Sequence, residues 1–174
     1  MVDYVDIRTA KERNPAGTKR TLYFAPVDDF LVIGDVPTTP ATLAEANVIV
    51  ADHTFTSPKG FFKLELETDK QDLVSEYIGN VMGGDQALNF TGFATGMGDE
   101  QIALFEKLVQ EKHIVLVPLK DGKILQMGDA DNGVMFKAAL QIGKESDGER
   151  GWNVSVQHFG RVVRYDGTVT FAGV

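Results

Sequence analysis

Hydrophobic and polar positions alternate most regularly in the last third of the chain. Ile114–Leu119 is an apolar run, Lys120–Lys123 (Lys-Asp-Gly-Lys) has the composition of a tight turn, and Ile124–Met127 continues beyond it, which predicts a β-hairpin. From Val134 the period is two: Val134, Phe136, Ala138, Leu140 and Ile142 share one face and Met135, Lys137, Ala139 and Gln141 the other. A polar connection over Gly143–Gly151 follows. Trp152, Val154, Val156 and His158 then alternate with Asn153, Ser155, Gln157 and Phe159. Val162–Tyr165, an Asp166-Gly167 turn and Val169–Phe171 bring the chain back once more. Short alternating strands joined by Asp/Gly turns predict a mainly β fold, an antiparallel β-sandwich or barrel.

The earlier part is less regular. Residues 1–20 read as an arm, with a short strand around Tyr4–Ile7 and a turn at Asn14–Gly17. Thr21–Ala25 is a core strand that Pro26 ends, Phe30–Ile33 is a short element, and Gly34–Thr42 is irregular, interrupted by two prolines. Ala44–Val50 has mixed helix and strand propensity; a strand over Val48–Phe55 is the preferred reading, followed by a turn at Ser57–Gly60. Phe62, Leu64, Leu66 and Thr68 then form one face of a strand, opposed by Lys63, Glu65 and Glu67. Asp69–Tyr77 is poorly patterned, with Leu73, Val74, Tyr77 and Ile78 on one side of a turn of helix, and Gly79–Gly84 is an irregular loop. Ala87–Ala94 is the next strand. The strongest helical pattern covers residues 100–111, with Asp99 as N-cap and Ile102, Phe105, Leu108 and Val109 as an apolar stripe widened by Leu104. Residues 21–174 thus form a single domain with a long loop near 69–84 and one main flanking α-helix.

Composition narrows the function classes. At 174 residues and 43% hydrophobic content the chain can bury one substantial core. Seventeen basic against 25 acidic residues, a net charge of -8, disfavour a general nucleic-acid surface. The absence of cysteine excludes disulfides and thiolate metal sites. No apolar run approaches membrane-spanning length, so no membrane insertion is expected, and the start lacks a basic segment followed by a hydrophobic leader.

Chemistry-bearing patterns are sparse. His53, His113 and His158 lie in separate segments, without the spacing of a metal-binding pair, and each reads as structural. Glu65 and Glu67 are about 7 Å apart on an ideal strand, a separation compatible with paired carboxylates of glycoside chemistry, but a charged strand face is the simpler assignment. Asp129–Gly133 has the composition of a calcium loop with its glycine misplaced and Leu140 where the closing glutamate belongs, so it reads as a turn. The glycines around 92–98 do not form a dinucleotide fingerprint, and no serine sits in a nucleophile-elbow motif. No catalytic residue, metal site or cofactor is expected, and the chain is not read as an enzyme.

The order of the Gly79–Gly84 loop, the Ala87–Ala94 strand, helix 100–111, Ile114–Leu119, the Lys120–Lys123 turn, Ile124–Gly128, the alternating 134–142 strand, the polar 143–151 excursion and the terminal hairpin across Asp166-Gly167 resembles that of phage major tail tube proteins and their tube-forming relatives in contractile injection systems. Asn14–Gly17 followed by Thr21–Ala25 also resembles the start of some such proteins. The resemblance implies a subunit of stacked hexameric rings around a lumen, with itself and other tail or baseplate components as partners and non-specific passage of DNA. It places the protein in a virion tail, or in the bacterial cytoplasm before assembly. It also implies roles for particular residues. Tyr77, Ile78, Val81 and Met82 become the axial-interface candidates, against the alternative that the loop folds onto its own core. Glu65 and Glu67 become lumen-facing candidates whose charge would repel nucleic-acid phosphates, against the alternative of a solvated exterior face. A β-rich virion adaptor, terminator or binding module is the second reading, and a carbohydrate-processing enzyme the third.

Overall fold

A computed structural model describes residues 16–143 and 148–173. The expected arm over Tyr4–Ile7 and the start of the Asn14–Gly17 turn lie outside the described residues. In chain order the strands are β1 (Thr21–Pro26), β2 (Phe30–Val32), β3 (Val48–Ile49), β4 (Thr54–Phe55), β5 (Phe62–Glu65), β6 (Asp72–Ile78) and β7 (Asp85–Thr95). The α-helix α1 (Asp99–Leu108) precedes β8 (His113–Pro118), β9 (Ile124–Met127), β10 (Phe136–Gln141), β11 (Gly151–Phe159) and β12 (Val163–Tyr165). The fold is mainly β, 44% strand against 12% helix, as the alternating pattern predicts.

Six strands form one sheet in the order β3–β12–β9–β8–β1–β5, four form a second in the order β10–β11–β7–β6, and β2 pairs with β4. All these pairings are antiparallel except that of β12 with β3. Residues directly opposite each other share a face, so the register Leu73, Phe90, Val156, Phe136 across the second sheet lines up one apolar row. That row meets Leu22, Phe24, Val115, Val117 and Met127 of the first sheet in a continuous core, which makes the molecule a sandwich. Two corners stitch the sheets. The Glu67 N–H donates to the Phe93 carbonyl at 2.7 Å, and His113 and Val134 exchange backbone hydrogen bonds of 2.8 and 2.9 Å. Among the described residues no closed barrel forms.

A second core lies on the other face of the six-stranded sheet. Ala25, Ile49, Phe61, Leu116 and Tyr165 are buried there, and Phe30, Phe55 and Phe171 pack against them. This explains the unbroken apolar run from Ile114. Every residue of β8 is buried, because the strand has a core on both sides.

The helix lies where the periodicity places it, with different ends. Gly98, not Asp99, is the N-cap; Gln101 accepts from the Gly98 N–H at 3.1 Å and donates to the Thr95 carbonyl at 3.3 Å. α1 stops at Leu108 rather than 111 because the chain turns at once into β8, with the Lys112 carbonyl accepting from the Val27 N–H at 3.0 Å. Phe105 and Leu108 are buried, and Phe105 stacks on Trp152 with ring centroids 4.9 Å apart.

Three expected elements differ. Val48–Phe55 is two short strands, not one, since the chain breaks between them to turn His53 into the second core. Asp69–Tyr77 forms no helical turn: seven positions from Asp72 to Ile78 pair with β7, which satisfies the backbone of a segment whose side chains specify little. The long loop expected over 69–84 is thereby reduced to Gly79–Gly84. The terminal hairpin across Asp166-Gly167 does not close, because the returning segment bonds elsewhere. The Phe61 N–H donates to the Thr170 carbonyl at 2.8 Å and the Ala172 N–H to the Phe61 carbonyl at 3.1 Å.

Candidate assembly surfaces

β6 is the outer strand of the four-stranded sheet and, among the described residues, pairs only with β7. Its side chains are exposed except for half-buried Leu73. The strand continues into a braced tip. Gly79 takes a left-handed conformation (φ 104°), the Tyr77 hydroxyl donates to the Asn80 carbonyl at 2.9 Å, and the Gly84 N–H donates to that hydroxyl at 3.0 Å. A side chain at Gly84 would lie 2.5 Å from the Ile78 carbonyl oxygen and 2.6 Å from the Tyr77 ring, so the tip requires glycine there. Val81 and Met82 are 92% and 98% exposed, and the loop does not fold onto the core. All four axial-interface candidates are therefore on one hairpin, with Tyr77 and Ile78 on opposite faces of its strand. The charged residues of the hairpin are all acidic: Asp72, Glu76 and Asp85.

Glu65 and Glu67, the lumen-facing candidates, have different settings. Glu65 ends β5, opposite Thr21, and its exposed carboxylate lies 3.8 Å from the Arg20 guanidinium. Glu67 is past the strand end, where the chain crosses to β7; its carboxylate is 3.4 Å from the Lys70 ammonium and accepts from the Thr95 hydroxyl at 3.3 Å. Lys70 also pairs with Glu149, and hydrogen bonding to that carboxylate is the main reason its pKa is raised. Each glutamate thus has its own basic neighbour. Nothing in the sequence announced the Lys70–Glu149 pair, since Glu149 lies in a polar connection without periodicity.

The histidines are all buried. His53 Nδ1 accepts from the Gly34 N–H at 2.9 Å, its Nε2 lies 2.9 Å from Gln126 Oε1, and its ring stacks on Tyr165 at 4.4 Å. The two contacts define a neutral imidazole protonated on Nε2. Burial lowers its pKa, and the bond to Gln126 opposes the shift. His113 lies edge-on to Phe24 and Phe136, and burial lowers its pKa too. His158 shares the inner face with Val156, as its alternation predicts, and has a pKa likewise lowered by burial. The Asp129 carboxylate accepts from the N–H groups of Asp131 (2.9 Å) and Asn132 (2.6 Å), closing a turn on itself. Among the described residues no three His, Asp or Glu side chains converge on a metal position, and no helix is long and apolar enough to cross a membrane.

The concavities differ in chemistry. A groove of about 460 Å³ on the outer face of the four-stranded sheet is mixed in character, with Lys70, Lys137, Glu149 and Asn153 around it beside Phe93, Ala138 and Ala139. A cleft of about 320 Å³ between α1 and the β1–β5 edge is mostly apolar, walled by Phe24, Phe62, Leu104 and Leu108 with Lys63 and Lys107 at its rim. Sequence periodicity bore on this cleft through Phe62, Leu108 and Leu104, though not on its being left open. The helical stripe extends to it, yet Leu104 is 37% exposed. No protein-family model, curated protein or solved structure matches this chain.

Proposed function

We propose that the protein is a structural subunit that self-associates into rings and stacks them into a tube of the phage-tail or injection-system kind, conducting DNA or other cargo. The observation that carries this reading is the β6–β7 hairpin. A braced tip presenting Val81 and Met82 almost wholly to water, on a sheet whose outer strand has an edge unpaired among the described residues, is an aggregation liability in a monomer and a contact in an assembly. Two distinct surfaces are needed, one closing a ring by rotation and one propagating it lengthwise. The edge of β6 suits the first, and the hairpin tip suits the second. Rings, other tail or baseplate components and transient cargo are the partners this implies, and a virion tail, or the bacterial cytoplasm before assembly, is the setting.

Negative-stain imaging and sedimentation velocity over a concentration series test the proposal. Rings or tubes with a central channel are the expected result, and discrete monomers at every concentration, even with a tube-initiating complex added, would refute it. Replacing Val81 and Met82 with serine removes roughly 1.5–3 kcal/mol of apolar burial per side chain at a tip contact, so the concentration needed for stacking is expected to rise at least tenfold with the circular dichroism of the monomer unchanged. Unaltered stacking would remove these two residues from the axial contact.

A further inference from the structure

We infer that the apolar cleft between α1 and the β1–β5 edge is the receptor for the β6–β7 hairpin tip of a second copy of this chain, an inference that rests on the self-assembly reading above. Three observations carry it. Among the described residues the tip is an apolar knob with nothing packed over it, since Val81 and Met82 are 92% and 98% exposed. The cleft is an apolar socket of about 320 Å³ with no hairpin residue in its lining, large enough for two side chains of that size between Phe24, Phe62, Leu104 and Leu108. Finally, the charges match. Toward the tip the charged residues of the hairpin are Glu76 and Asp85, both acidic, while Lys63 and Lys107 line the cleft. Glu111 also lies at the rim and is 3.8 Å from Lys107, which leaves Lys63, over the Phe171 ring at 4.2 Å, as the cation without a carboxylate beside it among the described ion pairs.

Topology makes the contact intermolecular and directional. The hairpin occupies the β6 edge of the four-stranded sheet, whereas α1 packs against β10 at the other edge, three strand spacings or about 14 Å away. Knob and socket are different surfaces, so each copy that donates a tip keeps an empty cleft for the next. A heterologous contact of this kind propagates.

The chain contains no cysteine, which allows a clean cross-linking test. Met82→Cys in one population and Leu104→Cys in another, mixed and oxidised mildly, are expected to give a disulfide-linked dimer at a yield at least tenfold above a control pair of Met82→Cys with Thr38→Cys. Both cleft and control positions are exposed, so the variants keep the fold. Lys63→Glu combined with Lys107→Glu is expected to lower the cross-link yield severalfold. Rings or tubes that form without the Met82–Leu104 link would overturn this inference and leave the assembly reading standing. A chain that neither links above the control nor assembles would overturn both.

Discussion

At the scale of single residues, buried polar groups set the local energetics. His53 and Gln126 satisfy each other inside the second core, and Gln126 also donates to the Gly128 carbonyl at 3.0 Å. Gln126→Leu leaves the His53 Nε2–H and that carbonyl without partners, so urea denaturation is expected to reveal a loss of about 1–3 kcal/mol. The pH dependence has a definite sign. Burial holds the pKa values of His53, His113 and His158 below their ordinary 6.5, so the unfolded chain takes up protons before the folded one does as pH falls. The stability they contribute is complete above about pH 6.5 and declines as pH drops toward the folded pKa values. The melting temperature should therefore be flat from pH 8 to 7 and fall between pH 6.5 and 5, and a melting temperature that rises over that lower interval would contradict the neutral assignment. Tyr77 illustrates the opposite case, a residue whose polar atom matters locally. Tyr77→Phe removes both hydroxyl contacts of the hairpin tip, and faster hydrogen exchange at the Gly84 amide with little change in global stability is expected.

Elements were legible in the sequence where side chains alternate against a core, and illegible where the backbone alone decides. β11 follows the alternation residue by residue, because its inner face meets the first sheet, whereas β10 follows it only through Phe136 and Ala138; Leu140 and Ile142, expected on the same face, lie beyond the core and are exposed. β6 does not announce itself: most of its side chains are exposed, so no period marks it, and its strand character comes from pairing with β7. The expected terminal hairpin fails for a related reason. Val169–Phe171 has strand propensity, but its partner is Phe61, more than a hundred residues away, and local pattern carries no information about that choice. The candidate residues of the hairpin were legible as an apolar group in a glycine-rich loop, whereas their exposure was not. The helix was the clearest element, and its packing yields a direct test. Phe105→Ala removes the ring that stacks on Trp152, the sole tryptophan, and is expected to cost about 3–5 kcal/mol. Tryptophan emission should shift to the red in the folded variant as α1 loosens, and an unshifted spectrum would show that the helix does not shield that ring.

The whole molecule is organised around a shared wall. The six-stranded sheet has the sandwich core on one face and the smaller aromatic core on the other, and β8 contributes to both through consecutive residues: Val115 and Val117 to the first, Leu116 to the second. A strand buried on both faces cannot lose one core and keep the other unchanged, so unfolding should be a single cooperative transition although two hydrophobic clusters exist. Leu116→Ala tests this across the wall. The substitution lies in the second core and is expected to cost about 2–5 kcal/mol, while Trp152 reports from the first. If the wall couples the cores, the tryptophan fluorescence midpoint in urea falls by the same amount as the far-ultraviolet circular dichroism midpoint. If the second core melts by itself, circular dichroism loses amplitude at low urea while the tryptophan transition stays at its wild-type midpoint. Coupling also bears on assembly. In the proposed assembly, a subunit whose sheets unfold as one unit keeps α1 and the cleft it lines in fixed relation to β6 and β7, the strands from which the tip projects, so that a contact at one end of a copy bears on the position of the next.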